Sequence, residues 1–178
     1  CYNEEGNVRL FCEEAGKILA GYDYEIVFIN DGSKDGTLKV LRELYAEKKE
    51  QMTIINFSRN FGKEAGLYAG LQHAKGDYIV IIDTDLQQPI EVAKEMMDFL
   101  EEHPEYDEVA AYQEERKEGK IMTLFKSAFY SMINKLCDVE LYKNASDFRC
   151  MRRCVVDAIL QMTEYHPFSK GIFAWIGF

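Results

Sequence analysis

The segment Tyr78-Ile79-Val80-Ile81-Ile82-Asp83 constrains this chain more than any other. It is apolar on both faces, the pattern of a strand covered by helices on either side of a parallel sheet. Strand and helix patterns alternate around it. Residues 8–19 put Val8, Phe11, Ala15, Ile18 and Leu19 on one helical stripe, with Asn3 as a cap and Gly21 beyond the end. Residues 25–30 are a β-branched run. Residues 37–49 read as a helix with Leu38, Leu41, Leu44 and Tyr45 inward, 52–58 as a strand, and 63–75 as a helix stopped by Gly76. Pro89 suits the first turn of a helix running to residue 102, and 108–112 reads as a further strand. This rhythm predicts an α/β domain, a mostly parallel sheet flanked by helices. The first helix begins almost at residue 1. A strand is therefore expected before Cys1, and the 178 residues are expected to be an internal piece of a longer protein.

The second half is different. Ile121, Leu124, Phe125, Ala128, Phe129, Met132, Ile133 and Leu136 form a wide apolar stripe at helical spacing, suited to a core-packing helix or, alternatively, to a membrane-surface helix. Residues 142–151 read as strand or loop and 152–162 as a helix. No run of about 18 apolar residues occurs, so nothing in this chain is expected to span a bilayer. Five cysteines without a CxxC spacing point to free thiols rather than disulfides or zinc. The net charge of -10 argues against a nucleic-acid partner. That charge is uneven. Residues 116–153 carry +5 and the remainder -15, so a basic block accompanies the apolar stripe, as an anionic lipid partner would require.

The segment Asp83-Thr84-Asp85-Leu86-Gln87 carries the clearest chemistry. Residues two apart on extended chain face the same way, so Asp83 and Asp85 are expected to point together into the crevice at the carboxyl end of the sheet. Two carboxylates so close need a cation, and with Gln87 they form a hard oxygen set for Mg²⁺ or Mn²⁺ held jointly with a diphosphate. Asp31 ends an earlier strand and suits recognition of a base or ribose. Ser33 or Asp35 is expected to cap the following helix. Arg59-Asn60-Phe61-Gly62-Lys63 offers donors to a nucleotide or phosphate near a helix start. Asp147 and Arg149, two apart, read either as a simple ion pair or as a base and a phosphate anchor.

In order along the chain, Tyr2-Asn3-Glu4-Glu5, Asn30-Asp31-Gly32-Ser33, Ser58-Arg59-Asn60-Phe61-Gly62-Lys63, Asp83-Thr84-Asp85-Leu86-Gln87, Phe129-Tyr130, Ser146-Asp147-Phe148-Arg149 and Trp175-Ile176-Gly177-Phe178 resemble glycosyltransferase family 2. The likeness is greatest to its polyprenyl-phosphate sugar transferases, of the dolichyl-phosphate mannose synthase and bactoprenol glucosyltransferase type. The resemblance implies the Rossmann-like GT-A fold, in a single catalytic domain over 1–178. Residues 1–115 would form its nucleotide-sugar-binding half and 116–178 its acceptor-side half.

The resemblance further implies an inverting transfer from a UDP- or GDP-linked sugar. Tyr2, Asn3, Glu4, Asp31, Ser33, Arg59, Lys63 and Asp83 would line the nucleotide site, with Asp31 on the base. Asp85 and Gln87, with Asp83 close by, would hold the metal. Asp147 would be the catalytic base, with Arg149 and Arg116 toward the acceptor. The implied acceptor is a polyprenyl phosphate, at the cytoplasmic face of a membrane that the full-length protein would join; self-association is left open. Two departures bear on the subfamily: Gln88-Pro89-Ile90-Glu91 replaces an Asp-Pro-Pro-Glu continuation, and Gln113 stands where an arginine is common. The competing readings are a family 2 transferase acting on a saccharide hydroxyl in cell-surface polysaccharide synthesis, a non-catalytic nucleotide-binding module, a nucleotidyltransferase, and a haloacid-dehalogenase-like phosphatase. The last wants Thr or Val where Gln87 stands, and the nucleotidyltransferase wants a basic glycine-rich loop where Tyr2-Asn3-Glu4-Glu5-Gly6 is acidic.

Overall fold

The computed structural model describes residues 1–112 and 145–162. The expected 121–136 helix, Arg116 and the closing GIFAWIGF segment lie outside them. The described elements are α1 (Val8–Ile18), β1 (Ile26–Asn30), α2 (Thr37–Glu47), β2 (Met52–Asn56), α3 (Lys63–His73), β3 (Tyr78–Ile81), α4 (Ile90–Glu102), β4 (Glu108–Tyr112), β5 (Ala145–Arg152) and α5 (Arg153–Gln161). A single 3₁₀ turn, Lys49–Gln51, joins α2 to β2.

The α/β alternation is as expected, with one reversal. β1 and β2 pair in parallel, Ile26 beside Met52 and Asn30 beside Asn56. β5 enters between β3 and β4 and runs antiparallel to both, so those two are parallel to each other. The β4–β5 ladder slips between Ala110 and Tyr112. Cys1 lies along the other edge of β1 as a strand residue would: its nitrogen donates to the Ile29 carbonyl at 2.7 Å, and its carbonyl accepts from Asp31 N–H at 3.0 Å.

Side chains on the two faces of each strand explain the layering. Phe28 of β1 packs with Val8, Phe11, Cys12 and Ala15 of α1, Leu41 and Leu44 of α2, and Met52 of β2. Phe148 and Cys150 of β5 face Ala93, Met96 and Leu100 of α4. The alternate residue Met151 faces Ile79 of β3, Leu71 of α3 and Val155, Val156 and Ile159 of α5. Helices thus cover both faces of β3–β5–β4, which is why 78–82 is apolar on both faces. Burial leaves the Cys150 thiol pushed up to about 12, a core residue rather than a nucleophile.

One capping expectation is corrected and one is met through Asp35. Asn7, not Asn3, precedes α1. Asn3 is instead held at φ 56° beside the turn after β1, a conformation Asn tolerates better than most residues. Ser33 does not cap α2. Asp35 does bond its first amide, Thr37 N–H, at 3.0 Å. β3 also ends at Ile81, so Asp83 and Asp85 stand on the loop beyond it rather than on the strand itself.

Candidate functional site

The site lies where β1, β2 and β3 end, the edge at which open α/β sheets carry their ligands. Its first part is a double turn. The Asn3 N–H donates to Ser33 Oγ at 2.9 Å, Lys34 N–H to Asn3 Oδ1 at 2.9 Å, Glu4 N–H to Thr37 Oγ1 at 2.9 Å, Glu5 N–H to Asp35 Oδ2 at 3.2 Å, and Gly36 N–H to Glu5 Oε2 at 2.9 Å. Segment 2–6 is thereby stitched to turn 31–37 chiefly through backbone groups. The Thr37 hydroxyl holds the Asp35 carboxyl below its ordinary range. Asn30, fully buried, ties β1 to β2 by donating to Asn56 Oδ1 at 2.7 Å.

Asp31 joins this turn to the next loop. Its Oδ1 accepts from Phe61 N–H at 2.7 Å and its Oδ2 from Gly62 N–H at 2.9 Å, with the residue only 8% exposed. Gly62, at φ 92°, precedes α3 with no side-chain cap of its own, so Asp31 supplies the missing acceptor from across the sheet. The close approach requires Gly32. It sits at φ 65°, and a Cβ there would come within 2.3 Å of the Arg59 backbone. Arg59 lies over the Phe61 ring at 4.1 Å, and Phe57 meets the same ring edge-on. Tyr2 and Phe61 are both exposed beside the turn.

The second part is acidic. The Asp83 N–H is held by Gln88 Oε1 at 2.9 Å, and Asp85 Oδ1 accepts from Gln87 N–H at 3.0 Å. Leu86 between them adopts φ 61°, a strained value for a leucine, while its side chain packs against the first core cluster. Lys63, the first residue of α3, reaches over this loop. Its Nζ is 3.0 Å from Asp83 Oδ2 and 3.0 Å from Asp147 Oδ2. Burial alone would lower the Lys63 ammonium, but hydrogen bonds to Asp147 and Asp83 outweigh it and hold the group above its ordinary range. Asp147 Oδ1 is buried without a hydrogen-bond partner among the described residues.

Arg149 is placed differently from Asp147. It is 3% exposed, and its Nη1 lies 3.3 Å from Glu108 Oε2 on β4 while Nη2 donates to the Ser146 carbonyl at 3.2 Å. Burial pushes Glu108 up and the Arg149 guanidinium down, against their mutual attraction. The structure thus brings Lys63, Asp83 and Asp147 into one ion-paired group, and Asp31 holds the loop that leads into Lys63, with Tyr2, Asn3, Glu4, Ser33 and Arg59 around the adjoining turn. Asp85 and Gln87 share the acid loop. Sequence reasoning missed Glu5, Gln88 and Glu108 as supporting partners. Only Glu108, an acid opening a predicted strand, carried a visible signal.

Among the described residues no three His, Cys, Asp or Glu side chains converge as a metal site on their own. The donor set is nonetheless oxygen-only, and the unpartnered buried Oδ1 of Asp147 is a ready acceptor for positive charge, so these residues fit a hard divalent cation that takes its remaining ligands from a diphosphate. No described helix is long and apolar enough to cross a membrane.

Comparison with known proteins bears on the family and the fold. The family described as Glycosyl transferase family 2 matches residues 1–160. The chain is 42% identical over 179 residues to CsbB of Bacillus subtilis (strain 168), covering 99% of this chain and 54% of that protein. It is 40% identical to the prophage bactoprenol glucosyl transferase homolog of Escherichia coli (strain K12), covering 99% and 58%. Among solved structures it superposes on the mannosyltransferase PcManGT from Pyrobaculum calidifontis, in complex with GDP-Man and Mn²⁺, with TM-score 0.61 and 19% identity over 88% of this chain and 44% of that one. The chain spans little more than half the length of the curated relatives it matches. On fold, site order and family match together, the chain has the GT-A fold and belongs to glycosyl transferase family 2.

Proposed function

We propose that the protein is an inverting glycosyltransferase that moves a sugar from a UDP- or GDP-linked donor to a polyprenyl phosphate, with Mg²⁺ or Mn²⁺. The observation that carries this reading is the Lys63 bridge between Asp83 and Asp147 beyond the carboxyl end of β3, beside the loop that Asp31 holds. A relative named for bactoprenol glucosyl transfer supports the acceptor, and a solved neighbour holding GDP-Man and Mn²⁺ supports the donor class and the metal. In this reading residues 1–115 hold the donor and 116–178 serve the acceptor, in one catalytic domain at the cytoplasmic face of a membrane.

The contacts support the following roles. Segment 2–4 and Ser33 form the wall of the nucleotide pocket. Asp31 shapes that pocket by holding the 59–63 loop, since both its oxygens already accept amides. Arg59 and Lys63 face the phosphates. Asp85 and Gln87, with Asp83, would hold the metal, which when bound neutralises charge on the departing nucleoside diphosphate. The acceptor phosphate attacks the sugar C1 from the face opposite that leaving group, forming the new C1–O bond as the old one breaks.

A phosphate monoester has its second pKa at about 6 and is largely ionised at neutral pH. The nucleophile therefore needs no strong base, and Asp147 serves to orient rather than to deprotonate. Arg116 would anchor the acceptor phosphate. Arg149, buried on Glu108, steadies β5 beneath Asp147. No observation favours phosphatase chemistry.

Thermal shift with UDP- and GDP-sugars, each with Mn²⁺ or Mg²⁺, tests the reading, because a specific ligand stabilises the fold by mass action. One nucleotide class should raise Tm only when the metal is present. No shift with any nucleotide diphosphate would overturn it.

A further inference from the structure

The pairing of β3 with β5 sets Tyr78 opposite Arg152 and Ile81 opposite Arg149. Carried two residues past the end of the ladder, the same register sets Asp83 opposite Asp147. Like charges directly across a sheet repel. The structure relieves this with one side chain from a third element, the Lys63 ammonium of α3, 3.0 Å from each carboxylate. The lysine side chain remains 46% exposed, so no described residue encloses it there. Asp147 meanwhile keeps its second, buried oxygen without a hydrogen-bond partner among the described residues. One monovalent cation thus bridges a pair that has acceptor capacity left over.

Resting on the metal-assisted reading above, we propose that Lys63 is a stand-in cation. In the donor-free protein its ammonium bridges Asp83 and Asp147, and on donor binding it releases Asp83 to the divalent cation and turns to the diphosphate. Lys63 is then a positioning residue with two states. It keeps the repelling acids in register while the site is empty of donor, and it competes with free metal. Its alternative partner, the diphosphate, arrives only with the nucleotide. Metal and nucleotide therefore bind with positive coupling, each favouring the state the other needs.

The test measures Mn²⁺ binding by electron paramagnetic resonance, with Mn²⁺ alone and with UDP or GDP present. Without nucleotide, Lys63→Met should bind Mn²⁺ about tenfold tighter than wild type, because a competing unit charge within a few ångströms of the acids is gone. With the nucleotide that the wild type binds, the same variant should lose about tenfold in affinity for the Mn²⁺–nucleotide pair, so the coupling falls or changes sign. Lys63→Arg, which keeps the charge, should bind free Mn²⁺ no tighter than wild type; this second variant decides the matter should Lys63→Met fail to fold, since tighter Mn²⁺ binding by the arginine protein contradicts competition. Unchanged or weaker binding of free Mn²⁺ by a folded Lys63→Met protein, alongside normal Mn²⁺-dependent nucleotide binding in the wild type, would overturn this inference alone. A wild type that binds neither UDP nor GDP with Mn²⁺ would overturn the transferase reading and this inference with it.

Discussion

The two halves of the site are built by opposite means. Around the double turn of 2–6 and 31–37, backbone amides meet fixed acceptors, and the loop at 59–62 hangs on both oxygens of Asp31. At the acid loop one long side chain, Lys63, which is nearly half exposed, bridges two of the carboxylates. The first arrangement has its shape before any ligand arrives and loses little entropy on binding. The second holds charge in readiness and rearranges cheaply. A transferase needs both: a fixed seat for the nucleoside, and a centre whose electrostatics change as the diphosphate enters and leaves.

This contrast breaks if the two halves respond alike to mutation. The largest expected effect is on turnover. Asp85→Asn should lower sugar transfer by about 10³-fold, the order lost when a principal charge-stabilising group is removed, while leaving Tm within a degree or two of wild type. A large drop in Tm would show the acid loop to be a structural element after all. Glu108→Ala should cost about 3 kcal/mol in denaturant unfolding, since it leaves the buried Arg149 uncompensated; stability unchanged would mean that Arg149 is not held by this pair.

Gly32→Ala should cost a similar or smaller amount, about 2–3 kcal/mol, because its Cβ meets backbone rather than a yielding side chain and its φ is positive. Its donor KM should rise as the 59–62 loop is displaced, which steady-state kinetics would register. The smallest effect is at Ser33→Ala. Losing the acceptor for Asn3 N–H should cost about 1 kcal/mol and modestly weaken nucleotide binding, measured by calorimetry.

Much of this was legible along the chain, and what was not shares a cause. Apolar patterning marked most of the described helices and strands, because burial on one face or two leaves a period in the sequence; β5 lies in a stretch that reads equally as strand or loop. The turn at 31–37 declared itself through Gly32, Asp35 and Thr37. Strand direction leaves no such trace, so the reversal of β5 between β3 and β4 was hidden. That reversal is what carries Asp147 across to Asp83. The sharing of Lys63 between them depends on register across three elements, and local pattern does not encode it. Asn3 reads as a helix cap from composition, yet its own loop finds a better partner in Lys34. Arg149 reads as a partner of Asp147 or a phosphate anchor until Glu108, distant in sequence, is seen to pair with it.

The central claim is that the acid loop and Asp147 serve sugar transfer to a lipid phosphate. It is tested most directly by incubating the protein with UDP- and GDP-sugars, undecaprenyl phosphate and Mn²⁺, and following the glycosyl lipid phosphate by mass spectrometry. The account predicts a lipid-linked sugar product with equimolar nucleoside diphosphate, lost in Asp85→Asn and retained at neutral pH, at reduced rate, in Asp147→Asn. Nucleoside diphosphate release without a lipid product, or an Asp147→Asn protein that binds donor and acceptor yet is inactive at every pH, would contradict it.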